Sequence, residues 1–467
     1  MKEIDEKVYG LAYDPEQILA FKGDSISNYV PNEGKLDGDK YIVIKREKRN
    51  LKNANTDIAV VSSVADRTYP GALLLANEKL VDNMPDGLVA KRAPLTLRIN
   101  LPNMGADGTV AVQNPTYSAI TEGVNKMLEA WNQKYASKNS INANYSYMET
   151  EAFSEDQLSV ILGCNFKLLQ KQLNVDFNAI SKDEKKVHIL CFKQIFYTVS
   201  IDNPTQPSDM FADDVTWDEL TKKGVDNDNP PAFVSNVSYG RTIYVKLEAN
   251  DTSLDIKAAL DAAIRDNKID LDTKYKTVLN SCEYTAIVLG GDAETHAKVV
   301  TKDFGEIEKI ITDNAVYSQK NPGFPISYTS VFLKKNQLAT INSSTEYVET
   351  TTTEYTSGSM KLHHSGGYVA KFYVDWKERS FNEAGEEVLA AKSWGDNDKK
   401  KTASFSTVIP LPANATNIHV KAIEQTGLAW EPWRTVVDQD VPLCKEISVS
   451  ISGTTLSPKG SVEYKYE

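Results

Sequence analysis

Two stretches in the middle of the chain each carry two periodicities that belong to different structures. From Leu158 to Asn178, Leu158, Leu162, Leu169 and Leu173 recur at helical spacing. Within the same stretch, Gln172-Leu173-Asn174-Val175-Asp176-Phe177-Asn178 alternates strictly between polar and apolar. Further on, Leu260, Ala263, Ile264 and Asn267 form a short helical stripe, and Ile269-Asp270-Leu271-Asp272 and Tyr275-Lys276 then alternate like a strand with one wet face. A period of 3.6 places one stripe on a helix, whereas a period of 2 splits a strand into two faces. Two readings follow. These are surface helices that fray into short strands, or they are helical in water and become amphipathic hairpins in a bilayer. A barrel strand needs about 9–11 residues with lipid-facing and lumen-facing side chains alternating. The pattern alone leaves both readings open.

No stretch reaches the roughly 18 apolar residues of a spanning helix, and the longest apolar clusters, such as Ala286-Ile287-Val288-Leu289, are strand-sized. Membrane entry would therefore require a closed barrel, because in lipid every backbone polar group must be satisfied within the protein. The formal net charge of −12 excludes recognition of a phosphate backbone and adhesion to anionic lipid by bulk charge. Membrane affinity must come from particular side chains. The first residues, MKEIDEK, lack the apolar core of a signal peptide, so either a signal has been removed or export takes another route. Cys164, Cys191, Cys282 and Cys444 form no CxxC pair and read as free buried thiols.

With 467 residues the chain has room for about three domains. Strand-like and irregular segments run to about residue 115, and a helix follows from Thr116 to Ala136 with Ile120, Val124, Met127, Leu128 and Trp131 on its apolar stripe. Val187–Ile201 and Phe233–Leu247 are rich in Val, Ile, Tyr and Phe and predict strands. Thr340–Lys361, full of Thr, Ser and Glu, predicts a long exposed β-ribbon or linker. Residues 357–467 alternate in short runs with turn signals at Asn382–Gly385, Gly395–Asn397 and Pro410–Asn414, which suits a β-sandwich.

The segment Glu424-Gln425-Thr426-Gly427-Leu428-Ala429-Trp430-Glu431-Pro432-Trp433-Arg434 packs two tryptophans and a leucine into six residues. Tryptophan suits a membrane interface because its ring is apolar and its N–H still seeks a polar partner. A core turn would place the same rings inside. The segment closely resembles the undecapeptide of the cholesterol-dependent cytolysins, E-C-T-G-L-A-W-E-W-W-R, and nine of its eleven positions match. The resemblance extends over the whole chain. Gly453-Thr454-Thr455-Leu456 looks like the family's sterol-recognition loop, which makes Thr455 and Leu456 the cholesterol-contacting pair. His364-Ser365-Gly366-Gly367-Tyr368-Val369-Ala370 and the turn around Ala403 look like two further membrane-facing loops. The adjacent His363 and His364 lack a third ligand at metal spacing, so no metal and no cofactor are expected.

Upstream, Asn178–Lys186, Gln194–Ser200, Tyr239-Gly240-Arg241 and Pro325–Thr329 resemble family landmarks. The resemblance implies an α+β, β-rich, elongated multidomain fold of the membrane-attack-complex/perforin kind. Its parts are a central twisted antiparallel sheet flanked by helical bundles, a long β-ribbon linker and a C-terminal β-sandwich. It assigns 3–19, 56–144, 195–240 and 316–339 to a discontinuous domain 1, and 20–55 with 340–356 to an elongated domain 2. Residues 145–194 and 241–315 become a pore-forming domain 3 with hairpin segments near 156–183 and 254–277, and 357–467 become domain 4. Tyr147 and Tyr284 match two aromatics that set strand register between subunits. Glu149 and Lys302 match a carboxylate and a lysine that pair across that junction, and Gly290-Gly291 match a glycine pair beside the edge strand.

Two departures lie within the undecapeptide. Gln425 stands where the family has cysteine, so thiol dependence should be absent. Pro432 replaces a tryptophan, fixes φ near −65° and removes an N–H, so the loop should differ in shape. Some relatives with this proline use a glycosyl-anchored complement regulator on human cells, and they share a Tyr-x-Tyr pair followed by Arg-Ser. The aligned residues here are Asp375, Lys377, Lys392 and Ser393, which favours direct cholesterol binding over a host protein receptor.

The function implied is a secreted toxin that docks on a cholesterol-containing host membrane, pairs with itself into a ring prepore and inserts a large β-barrel, lysing the cell. Leu428, Trp430 and Trp433 would enter the interface, and Arg434 would relay docking or form a local salt bridge with Glu424 or Glu431. The chain carries no GxSxG, HExxH, Walker loop or GxGxxG, so catalysis is not expected. The alternatives are the same pore former working through a protein receptor, and a non-lytic cell-surface adhesion protein.

Overall fold

The structure, a computed structural model, describes residues 3–61, 66–265, 272–290 and 298–466. The chain forms two compact units, Met1–Ser27 with Lys48–Val348 and Asn28–Glu47 with Glu349–Glu467.

In the first unit, helix α1 (Tyr117–Lys134) starts at Thr116, whose side chain accepts the Ala119 N–H as an N-cap. It buries Ile120, Val124, Met127 and Trp131 against a cluster that includes Leu97 and Val199. The sheet beside it contains β1 (Asn144–Glu151), β2 (Lys186–Ile201), β3 (Pro231–Ala249), β4 (Glu283–Gly290) and the short β5 (Val299–Thr301). These five pair antiparallel in the spatial order β1-β2-β3-β4-β5. β2 and β3 read as nearly continuous apolar runs because both of their faces are covered.

The covering elements are the two double-patterned segments, one on each face. On one side lie α2 (Glu155–Leu162), α3 (Lys167–Leu173) and α4 (Phe177–Ser181), with Leu158, Leu162, Phe166, Leu169 and Leu173 packed on Val187, Ile189 and Cys191. On the other lie α5 (Ile256–Leu260), a π-helical turn Asp261–Arg265, α6 (Thr273–Asn280) and α7 (Phe304–Thr312). There Ile256, Leu260, Leu279 and Ile307 pack on Leu190, Phe192, Ile243 and Tyr284. Helical spacing therefore prevails in this state. The alternating stretch Gln172–Asn178 is the end of α3, an Asn174 cap at φ +55° and the start of α4, and Tyr275-Lys276 lie in α6. Ile269, Asp270 and Leu271 lie outside the described residues. Helix wins because it buries the leucine stripe on the sheet. The alternation would pay off only with lipid on one side.

The Thr/Ser/Glu-rich segment forms one long strand, β6 (Ile341–Thr356), beside strand Lys40–Asn55 in a four-stranded sheet. The second unit continues as a β-sandwich. One sheet orders β10 (Phe405–Leu411), β7 (Gly358–His364), β13 (Glu446–Thr454) and β14 (Ser457–Lys465). The other orders β9 (Glu387–Ser393), β8 (Ala370–Phe381), β11 (Ala415–Gln425) and β12 (Trp433–Val441). Strict alternation in β11 and β13 turns Ile418, Val420, Ala422, Ile447, Val449 and Ile451 into the core. The predicted turn at Pro410–Asn414 lies slightly later, because Pro410 and Leu411 complete β10 and the Ala415 N–H closes on the Pro412 carbonyl at 2.9 Å. All four cysteines are buried and unpaired. Among the described residues no helix is long and apolar enough to cross a membrane.

Candidate functional site

Four loops of the sandwich meet at one end and are tied together by hydrogen bonds. The first is the undecapeptide, which joins β11 to β12. Alternation along β11 carries Glu424 inward until it is fully buried. Gln425 then donates its N–H to the Val369 carbonyl at 2.8 Å. The turn passes through Gly427 at φ +80°, a left-handed conformation that glycine adopts without a Cβ penalty. The Thr426 hydroxyl donates to the Glu431 carbonyl and accepts the Leu428 N–H at 3.1 Å, while the Thr426 N–H reaches the Pro432 carbonyl at 3.3 Å. Of the two tryptophans, Trp430 is 82% exposed, whereas Trp433 is half-buried with Lys371 Nζ 4.6 Å and Lys400 Nζ 6.0 Å from its ring centre. Leu428 and Glu431 are half-buried, and Ala429 and Pro432 are exposed.

The second loop follows His364. Its buried ring accepts the Gly366 N–H at Nδ1 (3.2 Å), so Nε2 carries the proton and donates to the Tyr368 carbonyl (2.8 Å). Tyr368 in turn donates to the Ser452 carbonyl at 2.8 Å, and the exposed Gly367 donates its N–H to the Gly453 carbonyl at 2.9 Å. The third loop is the β13–β14 turn, where Gly453 sits at φ +89°. Leu456 there is 90% exposed and Thr455 half-buried. The fourth holds the exposed Ala403, and its neighbour Ser404 donates to the His364 carbonyl at 2.8 Å.

Arg434 joins the first and third loops. Its guanidinium reaches Glu424 (3.4 Å), Glu431 (3.2 Å) and the Thr455 carbonyl (3.3 Å), so both local salt bridges weighed from the sequence are present, with a link to the β13–β14 turn besides. Burial pushes the Glu424 carboxyl up; Arg434 opposes that rise and Glu431 adds to it. Glu424 Oε2 is buried without a hydrogen-bond partner. His363 and His364, adjacent on β7, point to opposite faces, one exposed and one buried. Among the described residues no cluster of His, Cys, Asp or Glu could hold a metal.

A second group of candidates lies on the sheet of the first unit. Tyr147 and Glu149 sit on β1, Tyr284 and Gly290 on β4, and the exposed Lys302 directly after β5. Tyr147 packs on Phe192 with ring centres 5.0 Å apart, whereas Tyr284 is fully buried and donates to the Leu279 carbonyl at 2.7 Å. Burial pushes both phenols up. Glu149 and Lys302 stand at opposite ends of the five-strand order, so one chain does not bring them together. Gly290 has φ +81°, and a Cβ there would lie 2.5 Å from the Gly240 carbonyl oxygen. Gly291 lies outside the described residues. Sequence reasoning placed Arg241 in a landmark without finding its partners, and it did not single out His188. Arg241, buried on β3, donates to the carbonyls of Ile311 (3.1 Å) and Asp313 at the end of α7. His188, an isolated histidine within a strand, gave no signal at all.

A central sheet with double-patterned helices on both faces, together with a sandwich that displays Trp430 and Leu456 at one tip, fits a membrane-active protein of the barrel-forming kind. Family comparison agrees. Residues 3–355 match the thiol-activated cytolysin model and residues 359–459 match the thiol-activated cytolysin beta sandwich domain. The chain is 52% identical to tetanolysin of Clostridium tetani, covering 99% of this chain and 88% of that protein. It is 50% identical to perfringolysin O of Clostridium perfringens, covering 99% and 93%. The crystal structure of the human-specific toxin intermedilysin superposes with a TM-score of 0.89 at 36% identity, covering 99% of this chain and 98% of that one. The chain belongs to the thiol-activated cytolysins, the pore-forming, cholesterol-dependent toxins.

Proposed function

We propose that this protein is secreted, docks on host membranes through cholesterol held by Thr455 and Leu456, and perforates them as a ring of its own copies. The observation that carries the reading is the joint exposure of Trp430 (82%) and Leu456 (90%) on two loops that Arg434 ties together. Each apolar side chain transferred into the interface contributes roughly 1.5–3 kcal/mol, so a few suffice for docking despite the chain's negative charge. Gly367 and Ala403, exposed on the two neighbouring loops, complete the membrane-facing end.

Once docked, copies pair edge to edge, with β4 as the edge uncovered when β5 leaves it. An unpaired strand edge is a template for association and must stay covered in the monomer. Gly290, already in a conformation that side chains rarely adopt, supplies freedom for that departure, with Gly291 beside it in sequence. Tyr147 and Glu149 of one copy meet Tyr284 and Lys302 of the next. The segments 156–183 and 254–277 then leave the two faces of the sheet and extend β1–β4 into hairpins.

Dye release from phosphatidylcholine liposomes with and without cholesterol tests this reading. Leakage confined to the sterol-containing vesicles is expected. Equal leakage from both sets, or none from either, would overturn cholesterol as the trigger.

A further inference from the structure

We propose that Lys371 and Lys400, beside Trp433, form a binding site for the phosphate of a phospholipid headgroup, so that the sandwich grips lipid as well as sterol. The two lysines stand directly opposite each other, Lys371 on β8 and Lys400 on the two-residue strand Lys400–Lys401 that pairs with it. Like charges at directly opposite positions of an antiparallel pair repel. Both ammonium groups lie over one ring, 4.6 Å and 6.0 Å from the centre of Trp433. An indole face attracts cations without neutralising them.

The carboxylates beside the pair are already taken. Asp398 accepts from Lys371 and from the Tyr373 hydroxyl, each at 2.6 Å. Asp396 accepts from Lys399 at 2.5 Å and from Lys401 at 2.6 Å, and these bonds hold its carboxyl at about 2. The two acids of the undecapeptide, Glu424 and Glu431, pair with Arg434 instead. Among the described residues the exposed Lys400 pairs with no carboxylate. Four lysines thus share two aspartates, and Lys400 is left without a counter-ion. An anion with several acceptor oxygens suits two ammonium groups gathered over one ring, since each is a compact charge with rotatable donors.

The pair also lies at the depth where such an anion occurs. Lys400 precedes the exposed Ala403 by three residues, at most about 10 Å of chain. The interfacial layer on each side of a bilayer is roughly 5–8 Å thick, and a lysine stem can carry its ammonium to that layer. When Trp430 and Leu456 enter the membrane, Lys371 and Lys400 come level with the phosphates. This step rests on docking through this end of the sandwich, as proposed above. The chain's formal charge of −12 acts the other way and repels anionic lipid, so only a local site would favour it.

Flotation of the full chain with vesicles of one fixed cholesterol content tests the site. The vesicles hold phosphatidylcholine, or phosphatidylcholine partly replaced by phosphatidylglycerol, whose phosphate carries no choline. On the mixed vesicles Lys400→Gln should bind about fivefold more weakly than the unmodified chain, and Lys371→Gln should lose a similar factor. Lys400→Arg keeps the charge and should keep the binding. Equal binding by Lys400→Gln would overturn the proposal. An equal loss in Lys400→Arg would do so too, by marking a structural role in seating Trp433. Lys400 is exposed, so its substitution keeps the test open if Lys371→Gln does not fold. Inorganic phosphate without vesicles, at the lipid concentrations used, should leave tryptophan fluorescence unchanged; a saturable change would assign the pair to a free anion and overturn the lipid assignment. Sterol-free vesicles of the same lipids separate this site from the cholesterol reading. Binding that follows the lysines without needing sterol would sink the cholesterol trigger and leave the site standing. Sterol-dependent binding indifferent to the lysines would do the reverse, and no binding to any vesicle would overturn both.

Discussion

Arg434 Nη1 lies 3.4 Å from the Oε1 of Glu424, a carboxylate with no exposed surface, and the same nitrogen donates to the carbonyl of Thr455. One guanidinium therefore fixes the undecapeptide to the neighbouring β13–β14 turn and sits against a buried carboxylate beneath both. Arg434→Ala should leave Glu424 without its cation and the two loops without their link. Cholesterol-dependent leakage should fall about tenfold or more, while the sandwich core, built from other residues, stays folded. Circular dichroism and vesicle leakage measured together would check this. Full leakage with Arg434→Ala would show that the link is incidental.

Leu456 is 90% exposed and is no part of the sandwich core, which leaves it available for the docking role proposed above. Leu456→Ala should leave Tm unchanged and weaken binding to cholesterol-containing liposomes by roughly tenfold to a hundredfold, the transfer value of one such side chain. Thr455→Ala should weaken the same binding. Vesicle flotation and a thermal melt give the two numbers. A drop in Tm instead would place Leu456 in the core of the sandwich.

The family's undecapeptide cysteine is Gln425 here, and the four thiols present are buried. Burial pushes Cys164 up to about 12 and both Cys191 and Cys282 up to about 11. A thiol with a raised value stays protonated below it, and only the thiolate reacts. Iodoacetamide at neutral pH should therefore modify none of these three in the folded chain, and neither alkylation nor a reducing agent should alter leakage. Mass spectrometry after treatment reads the first outcome and dye release the second. Rapid alkylation of the native chain would contradict the buried placement.

Gly290 combines φ +81° with a neighbouring carbonyl 2.5 Å from where a Cβ would stand. Gly290→Val should destabilise the first unit by at least about 1–2 kcal/mol from the left-handed backbone alone. Binding to sterol vesicles, which the proposed function assigns to the sandwich, should survive while leakage is lost. Retention of both leakage and Tm would remove this glycine from any mechanical role.

Much was legible in the sequence because the relevant patterns are local. Helix α1, strands β2 and β3 and the alternating strands of the sandwich follow from apolar spacing, which depends only on the chain's own geometry. The β13–β14 turn and the undecapeptide were singled out through residue identity, and the structure places the two side by side at one end of the sandwich. Gln425 and Pro432 were equally visible, since a departure needs only a template.

Other features depend on residues distant in sequence coming together, and only the tertiary structure decided them. The segments Leu158–Asn178 and Leu260–Lys276 are ambiguous in sequence, because periods 3.6 and 2 are both written there. Packing on opposite faces of one sheet selects helix for the described part, since that is where their leucines and isoleucines find apolar partners. Arg434 was known to have carboxylates nearby, but its bond to Thr455 spans 21 residues and needed the β12–β13–β14 arrangement to form. Glu149, His188 and Lys257 come from three separate elements. Strand pairing and helix packing placed their charges within hydrogen-bond reach, which no linear spacing specifies, because electrostatic coupling depends on distance and burial.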